Sequence, residues 1–363
     1  MKNIKAAVVT ICDRIPNYGN RLQNYAVINI LKSLDIRATT LLTESQDKAI
    51  TLRVKRCINF CSGYRISERQ LDWKKSDKFL KFNKKYLHTS FKFLKNQNVQ
   101  DKYDYFVLGS DQVWNPEWYN EFKKNTFLLT FAKPEQKICM APSFGVEEIP
   151  AEWKDFFKEQ LQTFPLLSVR EKSGAKIIKA LTGKNAEVII DPTLMLDAEQ
   201  WRKIERKSRG RKQNEKYILK YFLGTQSNRD REHIESIARD NNYKIYELLN
   251  KNQPLIYDAG PSEFIDLVDH AELICTDSFH ACIFSILFNK PFMVFDRDGD
   301  GAGMGSRIST LLLTFGLERK MPGRVDDANI FEHDYSDVYK ILKSQKKKVY
   351  DFLKRSMRLE NEH

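Results

Sequence analysis

The sequence predicts an α/β protein with two Rossmann-like domains facing a central cleft, and three observations carry that prediction. Short apolar runs of strand length alternate with helical stripes through both halves, the pattern of parallel sheets covered by helices. A polar, basic run, ERKSRGRKQNEK, interrupts the alternation after residue 204. A chain of 363 residues is also long for one domain and comfortable for two. The expected division is 1–195, 196–330 and a terminal helix over 331–363 that packs back on the first domain.

Residues 5–11 are apolar and read as the first strand. Leu22, Ala26, Val27, Ile30, Leu31 and Leu34 then recur at helical spacing. The connecting loop, residues 13–20, holds Pro16, Gly19 and Asn20. Gly19 lets backbone turn close to a ligand, and Asn20 suits a helix cap, although an ordinary capped turn is the plainer reading of these residues alone. Residues 51–98 read as helical, basic and aromatic. Lysines interleaved with Phe and Tyr fit a membrane surface or a nucleic-acid strand, but more often mark a helix with one core face. His88 in this run reads as structural.

Phe106–Leu108 form the next buried strand, ending in Gly109-Ser110-Asp111. Trp114, Asn115 and Pro116 suit a pocket wall, although a Trp in an apolar stretch is usually core. Residues 138–143 are a strand ending in Ser143-Phe144-Gly145. A helix through Trp153, Phe157, Leu161 and Phe164 leads to a strand over 166–169, with Arg170-Glu171 at its carboxyl end. Such an arginine suits bidentate capture of a carboxylate or phosphate, with a salt bridge to a neighbour as the bland alternative. A helix stopping at Gly183 and a strand over 188–190 reach Asp191-Pro192-Thr193.

The second alternation starts at Tyr217. It includes one stretch, residues 258–295, that reads as helix, strand, turn, helix and strand without interruption. Its polar cluster, Thr276-Asp277-Ser278-Phe279-His280, falls where strand hands over to helix. Ligands of open α/β sheets bind outside such carboxyl ends, and free N–H groups at a helix start favour an anion. The acidic, glycine-rich run 296–306 lacks the spacing and closing Glu of a calcium loop and reads as a lid, with Arg307 behind it. The tail, residues 338–359, is a basic amphipathic helix.

Lys and Arg number 60 against 48 acidic residues, a net charge of +12 that favours anionic partners. No uncharged run approaches the length of a membrane span. The start is too short in its apolar part for a signal peptide. Six scattered cysteines, Cys57 and Cys61 among them, show no zinc-like spacing and read as free thiols of a reducing cytoplasm. Asp277, Ser278 and His280 lie too close together to form a Ser-His-Asp relay, and there is no metal cluster.

Six runs occur in one order: NYGNRLQNYA at residues 17–26, YDYFVLGSDQVWNP at 103–116, SFG at 143–145, SVRE at 168–171, DPT at 191–193, and ICTDSFHACIFSILFNKPF at 274–292. Together they resemble the polysaccharide pyruvyl transferase family. The resemblance implies a GT-B-like fold and transfer of the enolpyruvyl group of phosphoenolpyruvate onto a sugar hydroxyl, usually leaving a cyclic ketal. It implies a saccharide acceptor, lipid-linked in some members, and hence a cytoplasmic enzyme at the inner face of a membrane. No cofactor and no nucleic acid are expected. Members commonly carry Arg two residues before the signature His, where this chain has Ser278.

On this reading His280 transfers protons and Arg170 clamps an anion. Arg307 stands in for the charge absent at Ser278, with Asp277, Ser143 and Gly145 beside the donor. Asn20, Arg21, Gln23, Ser110 and Asp111 form the acceptor side of the pocket. Two other readings stay open: a two-domain glycosyltransferase using a nucleotide sugar, and a sugar- or phosphate-binding relative without catalysis.

Overall fold

The computed structural model describes residues 3–12, 15–42, 68–90, 99–297, 305–325 and 329–359. The first half is a parallel sheet of β1 (Lys5–Val9), β2 (Arg37–Leu41), β3 (Thr89–Ser90), β4 (Tyr105–Leu108) and β5 (Lys137–Cys139), in the order β3-β2-β1-β4-β5. β1 is central: Ala6 pairs with Ala38 on one side and Tyr105 on the other. Ala6 to Val9 are wholly buried because helices cover both faces, which is why β1 reads as a continuous apolar run. Around it lie α1 (Tyr18–Ser33), α2 (Glu68–Tyr86), α3 (Glu121–Phe127), α4 (Ala151–Gln162) and α5 (Lys172–Thr182).

Two further strands, β6 (Ser168–Val169) and β7 (Glu187–Val188), pair with each other in parallel. They follow β5 in space without joining its ladder. The Ser168 N–H donates to the Cys139 Sγ, and the Ser168 hydroxyl donates to the Cys139 carbonyl, so side chains fill the place of backbone rungs.

The second half is a four-stranded parallel sheet, β11-β10-β8-β9, made of β8 (Tyr217–Tyr221), β9 (Lys244–Glu247), β10 (Leu273–Thr276) and β11 (Phe292–Val294). Its helices are α6 (Ala198–Arg202), α7 (Asn228–Asp240), α8 (Pro254–Tyr257), α9 (Pro261–Asp269), α10 (Phe279–Leu287) and α11 (Gly305–Thr314), and the terminal helix is α12 (Ser336–Ser356). The basic run that interrupts the alternation after residue 204 is preceded by the short α6. Its capping box at Asp197 and Gln200 satisfies the first-turn N–H groups.

The expected α/β architecture is present, with two main parallel sheets and the separate β6-β7 pair. Tyr18 at the start of α1 ties them together: its ring stacks on Phe264 of α9 at 4.7 Å and its hydroxyl donates to the Ala259 carbonyl. Burying each such large apolar side chain contributes about 1.5–3 kcal/mol. α12 lies along the first half, where Lys348 donates to the Val188 carbonyl, Arg355 pairs with Glu187 and Tyr105 donates to the Met357 carbonyl. Of the basic aromatic stretch expected over 51–98, residues 68–86 form α2 and bury Leu71, Phe79 and Phe82. Residues 51–67 and 91–98, with Cys57 and Cys61, lie outside the described residues, as do 13–14 and most of the expected lid, 298–304.

Candidate functional site

One cavity of about 520 Å³ opens between the two halves. Its walls come from the loops after β1, β4, β8 and β10, the carboxyl edges of both sheets, where ligands of open α/β sheets bind. Gly19, Asn20, Asp111 and Gln112 line one side, and Tyr221, Ser278, Phe279 and His280 line the other, with Arg297 and Arg307.

His280 occupies the first turn of α10 and is nearly buried. Its Nε2 lies 3.8 Å from Asp191 Oδ2. Its Nδ1 abuts Gly19, where an added Cβ would come within 2.0 Å of that nitrogen. Gly19 therefore serves the site through its missing side chain rather than through the backbone turn expected of it, and the imidazole fills the space a Cβ would take. Burial lowers the His280 pKa and the Arg170 and Arg307 charges add to this, while Asp191 and Asp111 oppose it; the balance is downward. The ring is neutral at pH 7 and faces a carboxylate that would stabilise it once protonated.

Behind the ring, Arg170 is tied into a buried network. One nitrogen lies 2.6 Å from Asp191, another lies 3.3 Å from Asp111, and Ser110 donates to Asp191 at 2.8 Å. The salt-bridge alternative thus describes Arg170, and this residue does not line the main cavity. Burial opposes ionisation of Asp191, but Arg170, His280 and the Thr193 donors outweigh it and hold the pKa at about 2. Asp111 also accepts from Asn20 Nδ2. Asn17, not Asn20, caps α1, accepting from the Asn20 N–H at 3.1 Å. That leaves the Asn20 side chain free to reach across to β4's loop.

Arg307, three residues into α11, is the less neutralised cation. Its nearest carboxylate among the described residues is Asp111 at 3.9 Å, and burial together with the Arg170 charge brings its pKa down to about 10. Phe279 is shared by the two guanidiniums, with Arg170 Cζ 4.4 Å and Arg307 Cζ 5.9 Å from the ring centroid. The negative ring face attracts both cations.

Asp277 is bound on every side. It accepts from the Leu223 and Gly224 N–H groups, both at 2.8 Å, and from Arg297 Nε at 2.9 Å. Its part is to fix the β8 loop and to hold Arg297 at the cavity. Ser278 lines the cavity and caps α10 by position, its N–H donating to Thr276 Oγ1. Ser143 and Gly145 stand one layer back. The Ser143 N–H donates to the Asp111 carbonyl, and a Cβ on Gly145 (φ 67°) would meet Gln112 Nε2 at 2.1 Å. Arg21 lies over the Phe79 ring and Gln23 donates to Thr10, so neither lines the cavity.

Sequence reasoning missed Arg297, Gln112, Lys123 and Tyr221, all on the cavity wall, and gave Asp191 no role. The aspartate had a signal, a DPT after a predicted strand. Arg297 was absorbed into the acidic, glycine-rich run. Among the described residues, Glu205, Asp266 and His270 bring metal-type ligand atoms together, but away from the cavity, and Arg211 binds both Asp266 oxygens.

A glycosyltransferase from Rickettsia africae is similar in structure at 13% identity and TM-score 0.47, with 100% of both chains covered. The UDP-GlcNAc 2-epimerase from Neisseria meningitidis, bound to UDP-GlcNAc, is similar at 13% identity and TM-score 0.45, covering 97% of this chain and 100% of that one. No curated protein sequence matches. The family model described as polysaccharide pyruvyl transferase matches residues 17–299, from the start of α1 to beyond β11. With most of its length matched, this chain belongs to the polysaccharide pyruvyl transferase family.

Proposed function

We propose that this chain transfers the enolpyruvyl group of phosphoenolpyruvate to a saccharide hydroxyl of a surface-polysaccharide precursor and closes a pyruvyl ketal, in the cytoplasm. The observation that carries this reading is a neutral, buried His280 facing Asp191 in the wall of a cavity that also presents Arg297 and Arg307.

In this reaction the acceptor oxygen bonds to C2 of the donor while C3 gains a proton and becomes a methyl. The C2–O bond to phosphate then breaks, and a second hydroxyl of the same sugar attacks C2 to close the ring, its proton leaving with the phosphate. A neutral imidazole suits the first step, because it accepts the hydroxyl proton and can return it to C3. Asp191 stabilises the imidazolium in between, and Arg170 keeps Asp191 ionised. Arg307 and Arg297 are the cations placed to receive the carboxylate and phosphate of the donor. Arg170 is then a positioning residue.

The test is ³¹P NMR of phosphoenolpyruvate incubated with the protein and a panel of pyranosides. Growth of inorganic phosphate that needs both sugar and His280 supports the reading. Phosphate release that is indifferent to His280→Gln would remove it.

A further inference from the structure

Among the described residues, eight large hydrophobic side chains are exposed, and three of them line this one cavity. Ile15 is 69% exposed, Leu223 45%, and Trp118 and Phe122 41% each. Ile15, Trp118 and Leu223 line the cavity, and Phe122 precedes Lys123, which also lines it. They arise from three separate segments, the loops after β1 and β8 and the stretch from β4 into α3, so both lips of the mouth carry them. Exposed hydrophobics scattered singly need no explanation, but a cluster around a polar opening does.

We propose that this collar is a membrane-seating surface, with the mouth of the cavity set against an anionic bilayer. Several features favour a bilayer over a single apolar ligand. Ile15, Trp118 and Leu223 each combine a place on the cavity wall with 41–69% exposure and come from opposite lips, whereas one bound chain needs a groove to lie in. Trp118 and Lys123 are the residue types that settle at the level of lipid headgroups. Lys123 lies within the collar, Glu121 beside it is paired with Lys124, and Glu117 is the other exposed acid of this segment. The net charge of +12 draws the whole chain towards an anionic surface. No helix among the described residues is long and apolar enough to cross a membrane, so the contact is peripheral.

Cosedimentation with vesicles tests this, using phosphatidylethanolamine and phosphatidylglycerol in one set and phosphatidylcholine alone in the other. The parent protein should bind the anionic vesicles. Combining Ile15→Ser, Trp118→Ser and Leu223→Ser should weaken that binding about tenfold or more, as removing buried apolar area from an interface does. Leu255→Ser, at an exposed position away from the mouth, should change nothing. No binding by the parent overturns the proposal, as does equal binding by the triple variant. So does a parent dimer, seen by sedimentation velocity, that the triple variant dissociates, since the collar would then seat a second copy. The assay needs neither donor nor acceptor, so its failure and that of the proposed reaction are read separately.

Discussion

Replacing Gly19 by alanine tests how closely the imidazole is held. On an ordinary helix this change stabilises, by about 0.5–1 kcal/mol. Here the new methyl would sit 2.0 Å from His280 Nδ1 and 2.4 Å from its Cε1, far inside contact distance. Overpacking of this kind costs about 1–3 kcal/mol when the neighbours cannot yield. The ring has little room to yield, with Asp191 on its far side and Phe279 edge-on at 5.3 Å. Gly19→Ala should therefore be neutral to about 2.5 kcal/mol less stable in urea denaturation. It should also lose about 10²-fold or more in phosphate release, because the imidazole is displaced from its station. A variant more stable than the parent and equally active would refute the argument, since it would show that the ring is not held where the structure places it.

The remaining predictions concern the charged network. His280→Gln should lower turnover about 10²- to 10⁴-fold with donor affinity within a few-fold, measured by ³¹P NMR and calorimetry. Asp191→Asn should cost about 3 kcal/mol in urea denaturation, because it strips Arg170 of its 2.6 Å partner inside the protein. The lowered pKa of His280 means that the unfolded chain binds the proton more readily than the folded one. Its contribution to stability is thus full above the ordinary histidine value near 6.5 and is lost as pH falls from there through the folded value. Denaturation midpoints should fall with acid over that window in the parent, and less so in His280→Gln.

The alternation of apolar strands and helical stripes was legible because parallel strands buried on both faces leave short, continuous hydrophobic runs. The local position of His280 was legible for the same reason, as a strand-to-helix handover is written in the order of residues. What faces what was not. Arg170 follows a buried strand, as a ligand-binding arginine would, yet Asp111 and Asp191 meet it from other loops, 59 and 21 residues away. Gly19 looked like a turn glycine because its partner, His280, is distant in the chain and reaches it only through the closure of the two halves. The separate pairing of β6 and β7 depends on where one cysteine and one serine side chain point, which periodicity does not encode.

Calorimetric titration with phosphoenolpyruvate, set beside a panel of nucleotide sugars, tests the central claim most directly. The account predicts that the parent binds phosphoenolpyruvate and that Arg307→Ala weakens this by about 1.5–3 kcal/mol, the scale of a charged hydrogen bond. Arg307→Lys should also be impaired, because an ammonium lacks the planar fork. A parent that gives heat with a nucleotide sugar and none with phosphoenolpyruvate would contradict it, and would mark Ser278 as the site of a changed donor.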